Sequence, residues 1–168
     1  IIYNTNAYDN PSALKKLEGI IDIYLPDYKY TDSDLAKQLS KAEDYPRQAL
    51  EAITEMYRQK GSSLLTDSEN RIERGLIVRH LVLPSKTENS KRVLDNLCDI
   101  SFNLNISLMS QYAPLEPIDF DFLNSRLTQE EYDEVCDYFF SIGLHKGFFQ
   151  ELSSQDNLVP DFEKGTWS

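Results

Sequence analysis

The stretch Leu76-Ile77-Val78-Arg79-His80-Leu81-Val82-Leu83 sets the tightest limit on what this chain can fold into. It is a nearly unbroken apolar run, rich in Val, Ile and Leu, interrupted by one Arg and one His and closed by Pro84. A strand covered on both faces reads as such a run, and a proline just past its last residue ends the ladder for want of an N–H. An arginine and a histidine inside a buried strand need partners, because an unpaired buried charge is too costly to keep. Side chains alternate across a sheet, so Arg79 and His80 face opposite ways and only one of them looks into a given cavity.

The rest of the chain arranges itself around this strand. Ile1 to Thr5 reads as a short strand that runs into an Asn/Asp-rich loop. Asn10 and Pro11 start a helix to about Leu17, and Gly19 stops it. Ile20 to Leu25 is a second strand, Asp32 caps a helix of about two turns, and a longer helix from Pro46 to Lys60 carries Ala49, Ile53, Met56 and Tyr57 as its apolar stripe. Gly61 to Glu73 forms a small hairpin or loop around Asp67-Ser68-Glu69-Asn70. After the central strand come a helix over Asn89 to Asp99, a strand over Leu104 to Met109 and a helix to Gly143, opened by the capping-box spacing of Thr128 and Glu131. Residues 144–168 are aromatic but aperiodic and are expected to wrap the outside as a tail to a domain spanning 1–143. Strands alternating with helices predict an α/β fold with a parallel sheet and right-handed crossovers.

Charge and cysteine content exclude several functions. The formal net charge of -11 and the lack of a basic patch argue against a nucleic-acid backbone or an anionic membrane surface as partner. Two cysteines, Cys98 and Cys136, sit in separate helical patterns, so neither a disulfide framework nor a cysteine metal site is encoded, and a reducing cytoplasm is the expected setting. No segment is long and apolar enough to span a bilayer, and the start does not resemble a signal peptide. Ile1-Ile2-Tyr3 opens without Met inside a strand pattern, which leads to the expectation that upstream strands of the same sheet are missing. An uncovered first strand then predicts self-association through its open edge.

In parallel sheets, ligands bind at the carboxyl ends of the strands. The four segments that leave the strands here are polar: Asn4-Thr5-Asn6, Asp27-Tyr28-Lys29, Arg79 to Ser85, and Ser110-Gln111-Tyr112. Asp27 and Lys29, two apart on an extended segment, share a face and suit the amino and carboxylate or hydroxyl groups of a ligand, with Arg79 suited to a carboxylate. The competing assignment is an internal ion pair of Asp27 with Lys29 or Arg79. His80, on the opposite face and without metal-ligand spacing around it, reads as a structural histidine. Tyr28, Tyr30 and Tyr112 read as packing residues.

Taken together, Tyr3-Asn4-Thr5-Asn6, Asp22 to Lys29, Arg79-His80-Leu81-Val82-Leu83-Pro84 and Leu108-Met109-Ser110-Gln111-Tyr112 resemble the later strands of radical SAM enzymes related to pyruvate formate-lyase activating enzyme. The likeness extends to a poorly characterised iron-sulfur branch of that family, in which a segment like Arg74 to Pro84 is typical, and it covers about Ile1 to Tyr138. The resemblance implies the C-terminal half of a partial (β/α)6 TIM barrel. It also implies a [4Fe-4S] cluster on a Cys-x3-Cys-x2-Cys loop that binds S-adenosyl-L-methionine and cleaves it reductively to a 5′-deoxyadenosyl radical. In the activating enzymes that radical takes hydrogen from a glycine of a partner glycyl radical enzyme. The cluster loop belongs to the first half of that fold and has no counterpart in this sequence.

Carried over residue by residue, the resemblance puts Asn4, Thr5, Asp27 and Lys29 around the methionyl end of the cofactor, where Asn4 replaces an acid that helps hold a monovalent cation. Arg79 matches a cofactor-facing arginine, and Tyr112, beside Gln111, stands where a histidine approaches the ribose. The implied activity is that of a radical SAM oxidoreductase when full length, with this piece alone silent. The alternative is a non-catalytic α/β module that binds a small anionic metabolite on Asp27, Lys29 and Arg79.

Overall fold

A computed structural model describes residues 1–112, 119–150 and 152. Strand β1 (Ile2–Thr5) leads through helix α1 (Pro11–Lys16) to β2 (Ile23–Pro26), and helices α2 (Ser33–Ser40) and α3 (Tyr45–Lys60) follow. A two-residue strand β3 (Leu65–Thr66) turns antiparallel into the long β4 (Ile72–Leu81). Helix α4 (Thr87–Ile100), strand β5 (Asn105–Met109), a single 3-10 turn (Asp121–Asn124), helix α5 (Gln129–Ser141) and strand β6 (Gly147–Phe149) complete the described residues.

The helix starts follow the local chemistry. The side chains of Asn10, Asp32 and Thr128 accept backbone N–H groups from Ser12, Leu35 and Glu131, and Glu131 returns the bond to the Thr128 N–H as a capping box.

The sheet order is β1-β2-β4-β5-β6 with every neighbour parallel, so each crossover moves the chain one place in the same direction. Right-handed crossovers that all advance one way leave their helices on one face of the sheet. Accordingly α1 packs on α3, α3 on α4 and α4 on α5 in a continuous row. The core lies between this row and the sheet. Tyr24, Leu76, Val78, Ile106 and Leu108 meet Ala52, Ile53, Met56, Leu94, Leu97 and Phe139, all fully buried.

Burial alternates along each strand, and the face away from the helices is only half sealed. Leu25, Ile77, Leu81, Ser107 and Met109 are partly covered there, and Asn4 is exposed. The run around Arg79 is therefore apolar on both faces, as its sequence suggests, yet among the described residues only one face is closed.

Three boundaries differ from expectation. The second strand starts at Ile23 rather than Ile20, because Ile20 is half exposed and the Ile1 carbonyl, just ahead of β1, already takes the N–H groups of Asp22 and Ile23. The central strand starts earlier, at Ile72, because the β3 hairpin pairs with it, and Val82 and Leu83 stay buried past its end. Residues 144–150, assigned to an outer tail, instead bury Leu144 and add β6 to the sheet beside β5; the remainder of that tail lies outside the described residues, apart from Leu152. A three-residue strand is too short to show a period, which hides it in the sequence.

Gly75 begins the buried part of β4 with φ +147°, and a Cβ there would lie 2.5 Å from Leu64 and 3.1 Å from the Ser63 carbonyl. Gly75→Ala is expected to cost about 1–3 kcal/mol, seen as a lower urea midpoint at unchanged slope. Ile1 and Ile2 on the outer edge strand are 67% and 62% exposed. Self-association of this chain, read by sedimentation velocity, is expected, and Ile2→Lys should shift it toward monomer because edge charges block strand pairing.

Candidate functional site

The carboxyl ends of β1, β2 and β4 meet through one guanidinium. Arg79 donates from Nε to Asp27 Oδ1 at 2.7 Å and from Nη2 to Asn4 Oδ1 at 2.6 Å, and Nη2 also lies 2.6 Å from Asp27 Oδ1. A backbone bridge between Asp27 and Arg79 sets this geometry by continuing the β2–β4 pairing one step past Pro26. The Asp27 and Arg79 side chains retain 23% and 26% of their exposure, so the pair is neither a solvated surface contact nor sealed in the core. Of the two ion pairs open to Asp27, the structure shows the one with Arg79. Asp27 Oδ2 and Arg79 Nη1 are left unused by the bonds among the described residues.

Thr5 is brought to the same end of the sheet but not into the cluster. Its carbonyl takes the Asp27 N–H at 2.9 Å, while its hydroxyl turns to the other face, donating to Asp9 at 2.5 Å and accepting the Ala7 N–H at 3.1 Å. Tyr3, two residues earlier on that face, also donates to Asp9. Their parity in β1 is the cause: Asn4 points toward Arg79, and Tyr3 and Thr5 point away.

Asp27 and Lys29 line a cavity of about 350 Å³ whose other walls are Tyr30, Leu39, Leu81, Leu83, Met109, Tyr112, Phe120 and Leu123. Tyr112 therefore reaches the site, but its hydroxyl is committed to the Leu123 carbonyl at 2.7 Å, and burial raises its pKa. Gln111, next to it, is half-buried.

The segment that presents Asp27 and Lys29 is held by buried polar groups that the strand pattern does not reveal. The Tyr45 hydroxyl donates to the Asp27 carbonyl at 2.7 Å and accepts the Lys29 N–H at 3.0 Å. Asn89 donates to the Lys29 carbonyl and accepts the Thr31 N–H, both at 3.0 Å. The Tyr28 N–H reaches the Arg79 carbonyl at 2.9 Å, and His80 Nδ1 meets the Tyr28 carbonyl at 2.7 Å. Every backbone polar group from the Asp27 N–H to the Lys29 carbonyl thus has a partner, which fixes the loop. Tyr28 itself points into the core, where Asn96 bonds its hydroxyl, and this sends Asp27 and Lys29 to the opposite face.

His80 is the structural histidine expected from its parity. Its Nε2 lies 2.8 Å from the Ser90 hydroxyl, so a neutral ring with Nδ1–H donating to Tyr28 and Nε2 accepting from Ser90 satisfies both nitrogens. Complete burial pushes its pKa down to about 4. Ser90, Asn89 and Tyr45 were missed as site-supporting residues. The readable signal is that Asn89 and Ser90 sit four residues before Val93 and Leu94 on the buried stripe of α4, where a polar side chain needs a partner.

Cys98 and Cys136 lie on α4 and α5, away from the rim, and burial raises both thiol pKa values, that of Cys136 to about 11. Among the described residues no group of three His, Cys, Asp or Glu is placed to hold a metal ion, and no helix is long and apolar enough to cross a membrane.

Comparison with known proteins finds no matching family model. The chain is similar to the uncharacterized protein MJ0674 of Methanocaldococcus jannaschii, with 26% identity over 139 residues that cover 82% of this chain and 37% of that protein. The chain thus spans little more than a third of the length of this relative.

Because the unfolded His80 takes up its proton near pH 6.5 and the folded one only near pH 4, stability should fall as pH drops through this window, by on the order of 3 kcal/mol. Chemical denaturation at a series of pH values should show a shallower fall in His80→Gln over the same window than in the unaltered chain.

Proposed function

We propose that this chain supplies the later strands of a radical SAM barrel related to pyruvate formate-lyase activating enzyme, in which the rim of β1, β2 and β4 positions S-adenosylmethionine. The observation that carries this reading is the Asn4–Arg79–Asp27 cluster at three adjacent carboxyl strand ends, which joins two residues that the resemblance puts around the methionyl group to the arginine that it matches to a cofactor-facing one. Two further features support it. The strands advance in sequence order with helices on one face, as barrel strands do. The opposite face is apolar but half open, as the inner wall of a barrel would be before its remaining strands close over it.

The donors present fit the cofactor's amino-acid end. Asp27 Oδ2 is an acceptor suited to an ammonium, and Arg79 Nη1 is a donor suited to a carboxylate, and the existing pair holds the two side chains side by side. Tyr112 and Gln111, following β5, would face the nucleoside, Tyr112 by its ring because its hydroxyl is already bonded. When bound, a [4Fe-4S] cluster would supply the reducing electron for cleavage of the sulfonium to a 5′-deoxyadenosyl radical. Cys98 and Cys136, on outer helices with raised pKa, do not suit its ligation, which on this reading falls to residues outside this chain. The chain's own part is to orient the methionyl group through Asp27 and Arg79 and to keep water from the space beyond with the walls around Leu81 and Met109. Hydrogen abstraction from a partner protein's glycine is the substrate reaction the same resemblance proposes.

The binding-module alternative predicts no cluster and no cleavage. The complete protein, reconstituted anaerobically with iron and sulfide and reduced, is expected to form 5′-deoxyadenosine from S-adenosylmethionine. Asp27→Ala should weaken S-adenosylmethionine binding by about tenfold or more, read by calorimetry, with the circular dichroism spectrum retained. An unchanged affinity removes Asp27 from this role.

A further inference from the structure

We infer that the cavity beyond the rim is a binding site for an apolar carboxylic acid, with Lys29 as the anchor of its carboxylate. This goes beyond the proposed function: it is a small-ligand site beside the cofactor rim, distinct from a partner protein's glycine, and it moves Lys29 from the cofactor to that ligand.

Lys29 is separated from the cluster by its own bonding. Arg79 is bonded to Asp27 and Asn4, and the Lys29 ammonium has no acid partner among the described residues although it is half-buried. Tyr45 and Asn89 grip the Lys29 backbone on both sides, so its side chain leaves a fixed point at the cavity lining. Of the other polar groups on that wall, Asp27 shares one carboxylate oxygen with Arg79, the Tyr112 hydroxyl donates to the Leu123 carbonyl at 2.7 Å, and the Tyr30 hydroxyl accepts from Ser40 at 3.4 Å. Leu39, Leu81, Leu83, Met109, Phe120 and Leu123 make up the apolar wall. A space of about 350 Å³ whose lysine has no acid partner among the described residues, and whose walls are largely hydrocarbon, selects a ligand with one negative end and an apolar body.

The test is isothermal titration of the complete protein with octanoate, octanamide and octylammonium, and separately with S-adenosylmethionine after cluster reconstitution. Octanoate is expected to bind at least about tenfold more tightly than octanamide, the difference a charge-assisted bond makes, and octylammonium more weakly still. Lys29→Met should abolish the preference for octanoate over octanamide while leaving S-adenosylmethionine affinity unchanged. Leu83→Ala should weaken octanoate and octanamide alike, showing that both occupy this cavity. Equal binding of octanoate and octanamide by the unaltered protein, no octanoate binding, or a Lys29→Met variant that keeps the preference overturns the assignment. Loss of S-adenosylmethionine binding in Lys29→Met overturns it too, by returning the lysine to the cofactor. Failure of the unaltered protein to bind S-adenosylmethionine, with the octanoate preference intact, would instead count against the radical SAM reading and leave the acid site standing.

Discussion

The fixed point of this structure is the buried contact of His80 with the Tyr28 carbonyl on one side and the Ser90 hydroxyl on the other. It ties the exit of β2 to the carboxyl end of β4 and to the start of α4 in one neutral, fully satisfied set of bonds. The low interior polarity that makes such bonds strong also makes a charged imidazole costly, which is why burial drives the proton off this ring. On the other side of the same strand, one residue earlier, Arg79 works in the reverse sense, carrying its charge to a half-exposed acid. A single strand thus anchors the fold with one side chain and furnishes the rim with the next.

Preorganisation at this rim comes from the backbone. The loop carrying Asp27 and Lys29 lies outside the helices and strands, and a free loop would have to be ordered when a ligand arrives. Tyr45, His80 and Asn89 remove that cost by bonding its peptide groups from the core side. The side chains on the far side are then free to be chosen for chemistry, because none of them is needed to keep the loop in place. A site whose supporting shell is buried and polar behaves as one unit, so the loop and the two helices that brace it are expected to loosen together.

Much of this was legible in the sequence, and the rest was hidden for physical reasons. Apolar periodicity and caps located α1 to α5 and the four longer strands, since each carries a full turn or several alternations of signal. The parity of Arg79 and His80 followed from strand geometry alone and holds in the structure. The placement of Thr5 away from the cluster also follows from parity, which adjacency in the sequence obscured. What sequence could not supply was the partner choice of Asp27, because spacing makes Lys29 the near candidate while the sheet pairing brings Arg79 across from another strand. The bracing role of Tyr45 was hidden likewise, since an aromatic at a helix start looks like ordinary packing.

The joining of Asn4, Asp27 and Arg79 has a further meaning for how the sheet is assembled. One guanidinium spans the ends of β1, β2 and β4, and those strands are separated in the chain by entire helices. A slip of one residue in the β2–β4 pairing would carry Asp27 to the helix side and strand the arginine without its counter-ion, and one in the β1–β2 pairing would take away its Asn4 acceptor. The cluster is therefore a register check across three strands, a lock that engages only when every tooth is aligned.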